Sequence, residues 1–159
     1  MKKYIPINDN ILVTSRGVDV MAGLIEVPEQ YLRDSNVCTT EDGQTIIVLD
    51  NTGYELSDHR RIIKKTDVIA KIIDGKIKPI YDWVLVRKCI DKKEALILPS
   101  RTGNSSRFAE ILAVGPDTML EGEIGQLGYI AEGEMQKVEE TEADWLIRER
   151  LIQFIVTED

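Results

Sequence analysis

Apolar residues in this chain fall in short runs, and turn-forming residues stand between them. Ile11-Leu12-Val13, Thr45-Ile46-Ile47-Val48-Leu49, Val84-Leu85-Val86 and Ala109-Glu110-Ile111-Leu112-Ala113-Val114 are rich in β-branched side chains. Such side chains suit a pleated, half-buried surface. Asp42-Gly43, Asn51-Thr52-Gly53, Gly115-Pro116-Asp117 and Glu121-Gly122 interrupt the runs, and these residue types favour tight turns. The pattern predicts an all-β chain of short strands, an arrangement that in small domains curls into barrels. Only 143–156 reads two ways. Ile147, Leu151 and Phe154/Ile155 would line one face of a helix. The matching stretch 62–72 carries Thr66-Asp67 between two β-branched runs, which favours strand–turn–strand in both places.

That match belongs to an internal repeat. Ile5-Pro6-Ile7-Asn8-Asp9-Asn10-Ile11-Leu12-Val13 is echoed by Lys78-Pro79-Ile80-Tyr81-Asp82-Trp83-Val84-Leu85-Val86, where Pro, Ile, Asp, Leu and Val coincide. Ile25-Glu26-Val27-Pro28-Glu29 parallels Leu96-Ile97-Leu98-Pro99-Ser100. Residues 62–72 then parallel 146–155, with one residue fewer in the second copy. Three echoes in the same order predict a tandem duplication, with domains at 1–75 and 76–159 and a turn at Asp74-Gly75-Lys76.

Composition leaves this picture intact and narrows the function. Of 159 residues, 43% are hydrophobic and 30% charged, as expected of a globular chain. The aromatic share is 6%, so the core must rest on Ile, Leu and Val. No apolar run approaches the ~20 residues of a membrane helix, and Met1 to Pro6 has neither the features of a signal peptide nor those of a transit peptide. The expected location is cytoplasmic. The net charge of −8 argues against nucleic acid as a partner. Residues 78–159 hold most of it, with 10 basic and 16 acidic residues. Glu132, Glu134, Glu139, Glu140, Glu142 and Asp144 contribute heavily and read as a solvated turn face.

Catalytic and metal chemistry is sparsely supplied. Cys38 and Cys89 are far apart and have no metal-ligand spacing. The single histidine, His59, reads as an ordinary turn residue in Ser57-Asp58-His59-Arg60-Arg61. Neither common phosphate-binding Gly-rich loop is present. No catalytic residue, metal or cofactor is expected, and binding or assembly is the favoured role.

The repeat unit resembles the GroES-type co-chaperonin family, also called chaperonin-10. Pro79-Ile80-Tyr81-Asp82-Trp83-Val84-Leu85-Val86 is similar to that family's opening strand, with Trp83 where the family has Arg. Lys88 to Glu94 stands where the family has its mobile loop, and Leu96-Ile97-Leu98-Pro99 resembles that loop's apolar tripeptide and proline. Phe108-Ala109-Glu110-Ile111-Leu112-Ala113-Val114-Gly115 is similar to the family's Ala-Val-Gly strand, and Glu123 to Ile130 to the strand after it. In the first copy, Asp50-Asn51-Thr52-Gly53-Tyr54-Glu55 resembles the Asn-Asp-Gly-Tyr-Gly segment, and Val37-Cys38-Thr39 stands in for the missing Ala-Val-Gly strand.

The resemblance implies two tandem GroES-like small β-barrels, the first degenerate. It implies a homo-oligomeric ring that caps an ATP-bound GroEL-type chaperonin over an unfolded client protein, with no membrane or nucleic-acid partner. The chaperonin-binding residues would be Leu96, Ile97 and Leu98, with Ile25 and Val27 as the first-copy counterparts. Glu26 between Ile25 and Val27 is costly to bury, so the second-copy loop is expected to dock better. Pro116 to Glu123 holds the family's roof position and is short and acidic, which implies an open roof. A divergent sequence of this kind fits a phage or bacterial source. The alternatives are a structural protein of phage morphogenesis built on the same barrels, a generic peptide-binding barrel, and a zinc dehydrogenase, which the missing dinucleotide fingerprint disfavours.

Overall fold

Residues 3–18, 33–88, 107–138 and 144–157 are described by a computed structural model. The chain is all-β: its elements are antiparallel strands and single 3-10 turns. It divides into two units, Met1–Gly75 and Lys76–Asp159. The first unit contains β1 (Asn10–Val18), β2 (Arg33–Thr40), β3 (Thr45–Val48), β4 (Tyr54–Glu55), β5 (Arg60–Lys64) and β6 (Val68–Ile73). The second contains β7 (Lys76–Pro79), β8 (Trp83–Lys88), β9 (Phe108–Val114), β10 (Leu127–Ile130), β11 (Met135–Lys137), β12 (Asp144–Arg148) and β13 (Ile152–Val156).

The two units share one topology. The strands of the first run β4-β5-β1-β2-β3-β6 across the sheet, and those of the second run β11-β12-β8-β9-β10-β13. The registers agree residue by residue. Asn10 faces Lys64 as Trp83 faces Arg148, and Thr45 faces Ile72 as Leu127 faces Val156. The slip between the third and last strands coincides as well, lying between Ile47 and Val48 in one unit and between Tyr129 and Ile130 in the other, whereas the first and second strands slip at different places, Ser15/Gly17 and Leu85/Val86. The first and third echoes thus mark a structural duplication, and β2 with Val37-Cys38-Thr39 is the counterpart of β9. The third echo is not shortened in the second copy, because Ile62 to Ile72 matches Leu146 to Val156 at one constant offset. The middle echo lies outside the described residues.

Residues 144–156 form strand, 3-10 turn and strand. The helical alternative loses because Ile147 and Leu146 are both fully buried, on opposite faces of β12. This turn, Glu149–Leu151, and its first-unit counterpart, Lys65–Asp67, are fastened by the same two main-chain bonds. The Lys65 N–H donates to the Asp9 carbonyl (2.9 Å) and the Glu149 N–H to the Asp82 carbonyl (2.9 Å). On the other side, the Leu49 N–H donates to the Asp67 carbonyl (2.9 Å) and the Ala131 N–H to the Leu151 carbonyl (2.8 Å).

Short β-branched strands curl these sheets around their own cores. In the second unit Val84, Val86, Ala109, Ile111, Ile130 and Ile147 form the buried cluster. Met135 from β11 and Ile152 and Ile155 from β13 pack on it, so both edge strands serve one core. Each fully buried aliphatic side chain contributes roughly 1.5–3 kcal/mol. Among the described residues neither sheet closes on itself: β11 and β13 are edges of an open sheet.

Asp144 departs from its expected place on a solvated turn. It is buried on β12, directly across from Arg87 of β8. Arg87 donates Nε to Oδ1 (2.9 Å) and Nη2 to Oδ2 (3.4 Å). That hydrogen bond, and then the carboxylate's charge, hold the Arg87 guanidinium above its ordinary pKa. Among the described residues, no helix is long and apolar enough to cross a membrane.

Substitutions at a glycine and at this ion pair test the packing. A Cβ on Gly115 would sit 2.2 Å from the Tyr81 carbonyl oxygen, whereas one on Gly122 would meet nothing within 4 Å. Gly115→Ala should therefore cost about 2 kcal/mol or more in urea unfolding, and Gly122→Ala less than about 0.5 kcal/mol. Arg87→Ala should lower the unfolding midpoint more than Asp144→Asn. It leaves a buried carboxylate without its guanidinium, while the reverse change leaves a cation that water can reach.

Candidate functional site

Leu96, Ile97, Leu98, Ile25 and Val27 lie outside the described residues, as does Cys89. The strands that hold the two connections are described. Residues 19–32 join β1 to β2, and 89–107 join β8 to β9. β1 and β2 are hydrogen-bonded neighbours up to Val18 and Arg33, and β8 and β9 up to Lys88 and Ala109. Since β1 matches β8 and β2 matches β9, both connections start and end at the same corner of the same topology. The apolar tripeptides occupy equivalent connections.

A cavity opens at that corner in the second unit, and another lies at the equivalent strand positions of the first. The second unit's cavity has a volume of about 460 Å³ and is lined by Lys88, Arg107, Ile130, Ala131, Glu132, Gly133 and Met135. Ile130 and Met135 give it an apolar floor. The rim is charged: Arg107 donates to Glu132, and the Lys88 ammonium lies 4.1 Å from the centre of the Trp145 ring. Cation–π contacts of this kind are worth about 0.5–1 kcal/mol at exposed sites.

The first unit's cavity has a volume of about 530 Å³. Asn36, Asp50, Asn51 and Gly53 line it, and the strand registers make them the counterparts of Arg107, Glu132, Gly133 and Met135. Its cation is Arg61, on β5, buried at 6% exposure. Sequence reasoning singled out the neighbouring His59 and missed Arg61. Alternation along Arg60-Arg61-Ile62-Ile63 was the available signal, since it puts Arg61 on the same inward face as Ile63.

His59 sits at φ 60° beside Asp58 at φ 60° in the turn between β4 and β5. Two positive φ values in succession mark a tight hairpin turn, and the His59 carbonyl accepts the Ser15 N–H (2.7 Å). Cys38 is buried, with Sγ 3.6 Å from the Ser15 hydroxyl. Among the described residues, no three His, Cys, Asp or Glu side chains could hold a metal ion.

The outer face of the second sheet carries an aromatic cluster. Phe108 meets Tyr129 edge-on with ring centres 5.2 Å apart, and Tyr129 stacks on Phe154 at 5.0 Å. Leu127 and Val156 pack around Phe108, and Phe154 is 51% exposed. Its position on β13 puts this cluster at a sheet edge.

No protein-family model matches the chain, and no curated protein is similar to it.

Proposed function

We propose that this protein is a co-chaperonin: a homo-oligomeric ring of two GroES-like barrels per chain that caps an ATP-bound chaperonin over an unfolded client. The observation that carries this reading is the duplicated corner. Two units of identical strand order each interpose a long connection between their first and second strands, and each connection bears an apolar segment ended by proline. Anchoring both ends of such a segment on paired strands limits the search volume of its docking residues. Leu96, Ile97 and Leu98 are the primary contact, with Ile25 and Val27 secondary because of Glu26.

The energetics suit a releasable cap. A buried aliphatic side chain contributes roughly 1.5–3 kcal/mol, and ordering each loop residue costs on the order of 1 kcal/mol. One loop binds weakly; a ring of loops binds strongly through effective concentration. Uncovered apolar surface near both ends of the chain supports ring assembly. Tyr4, Ile5 and Ile7 stand exposed before β1, and Phe154 stands exposed on β13.

The roof position also fits. Residues 115–126 span the gap from β9 to β10, where the first unit has only Glu41 to Gln44. This segment holds a single 3-10 turn at Glu121–Glu123 and a Met119 that is 92% exposed. With acidic residues in both places, a wide or open roof is the expected form of the ring.

Chaperonin capture tests the reading. Wild type should be pulled down by a bacterial-type chaperonin only with ATP, Leu98→Asp should abolish capture, and Val27→Asp should weaken it less. Absence of capture by every plausible host chaperonin would move the function to structural assembly. Electron-microscope images of the ring should show a central opening in the roof; a closed dome would refute it.

A further inference from the structure

The first unit's cavity holds a cation that no carboxylate among the described residues neutralises. The Arg61 guanidinium donates Nη1 to the Thr52 carbonyl (3.3 Å) and Nη2 to Cys38 Sγ (3.4 Å). Its Nε is buried and meets no acceptor among the described residues. Neither partner is a carboxylate. Burial leaves the guanidinium charge poorly compensated. In the second unit's matching cavity the cation is Arg107, which is less buried and is paired with the exposed Glu132. Glu132's counterpart, Asp50, lines the first cavity but is not among the groups that Arg61 donates to. Glu55 faces Arg61 across the β4–β5 pair and is exposed to solvent.

We propose that this cavity binds a ligand bearing a carboxylate, recognised by Arg61 with the Asn36 and Asn51 amides in the wall. Its volume of about 530 Å³ falls within the ~300–1,000 Å³ of small-molecule sites, so it admits more than a bare ion. The guanidinium fork matches a carboxylate. Glu55, exposed across the strand pair from Arg61, adds a repulsion that grows with the ligand's charge and so favours a monoanion over a phosphate dianion. The site uses none of the docking residues and does not depend on the co-chaperonin reading.

The test is an amide NMR titration of the full chain with sodium acetate, against sodium chloride and inorganic phosphate at matched ionic strength. Acetate should give saturable shifts at Cys38, Thr52 and Gly53, with half-saturation on the order of millimolar. Arg61→Met should weaken binding about tenfold or more, Glu55→Gln should tighten it several-fold, and phosphate should bind more weakly than acetate. Shifts that chloride reproduces, that fail to saturate by about 100 mM, or that survive in Arg61→Met would overturn the site. Phosphate binding more tightly than acetate would overturn the carboxylate assignment. If Arg61→Met does not fold, the exposed Glu55→Gln variant decides, and unchanged affinity there counts against the proposal.

Discussion

The architecture depends on one pair of main-chain hydrogen bonds, made twice. In each unit a 3-10 turn between the last two strands of the shared topology is tied on one side to the residue before the first strand and on the other to the residue after the third. Lys65 to Asp9 and Leu49 to Asp67 do this in the first unit, and Glu149 to Asp82 and Ala131 to Leu151 in the second. These bonds pull the sheet into its curl, so that β11 and β13 contribute to one core. They also fix where the first strand begins, and so the register of the corner from which the long connection leaves. Because donors and acceptors are backbone groups, side chains at the turn are free to change. Lys-Thr-Asp in one copy has become Glu-Arg-Leu in the other with the bonds intact.

That freedom explains how two units of one topology came to differ in chemistry. The hairpin after β2 is a tight turn around Gly43, whereas the same position after β9 holds a longer segment with an exposed Met119. The outer face of the second sheet carries Phe108, Tyr129 and Phe154. Across β8 and β12, Arg87 and Asp144 form a bidentate pair where the first unit has Thr14 facing Arg60. The corner cavities diverge most: one cation is neutralised by its own chain and the other is left for a ligand. Within a duplicated scaffold, one copy can keep a feature while the other changes.

Much of the fold was legible because it follows from local rules. The β-branched runs became strands, the Gly, Asn and Asp clusters became turns, and the Thr66-Asp67 break correctly resolved the ambiguous 143–156 segment. His59 fell in a turn for the same reason. Burial of charge was poorly legible. Asp144 sits in an acidic stretch and looked solvated, yet the β8–β12 register places it opposite Arg87 and takes it out of water. Arg61 lay beside a more conspicuous histidine, and only its alternation with Ile63 hinted that it faced inward.

By itself the sequence determined the all-β class, the duplication and the order of segments within each copy, because periodicity, turn chemistry and internal similarity are properties of neighbours along the chain. Only the tertiary structure decided which distant residues share a sheet register, that the two corner cavities are equivalent, and which of their cations has a partner. Those outcomes depend on pairings such as Arg87 with Asp144, 57 positions apart. No local pattern encodes such a pairing, because it forms only when the curled sheet brings the two strands side by side.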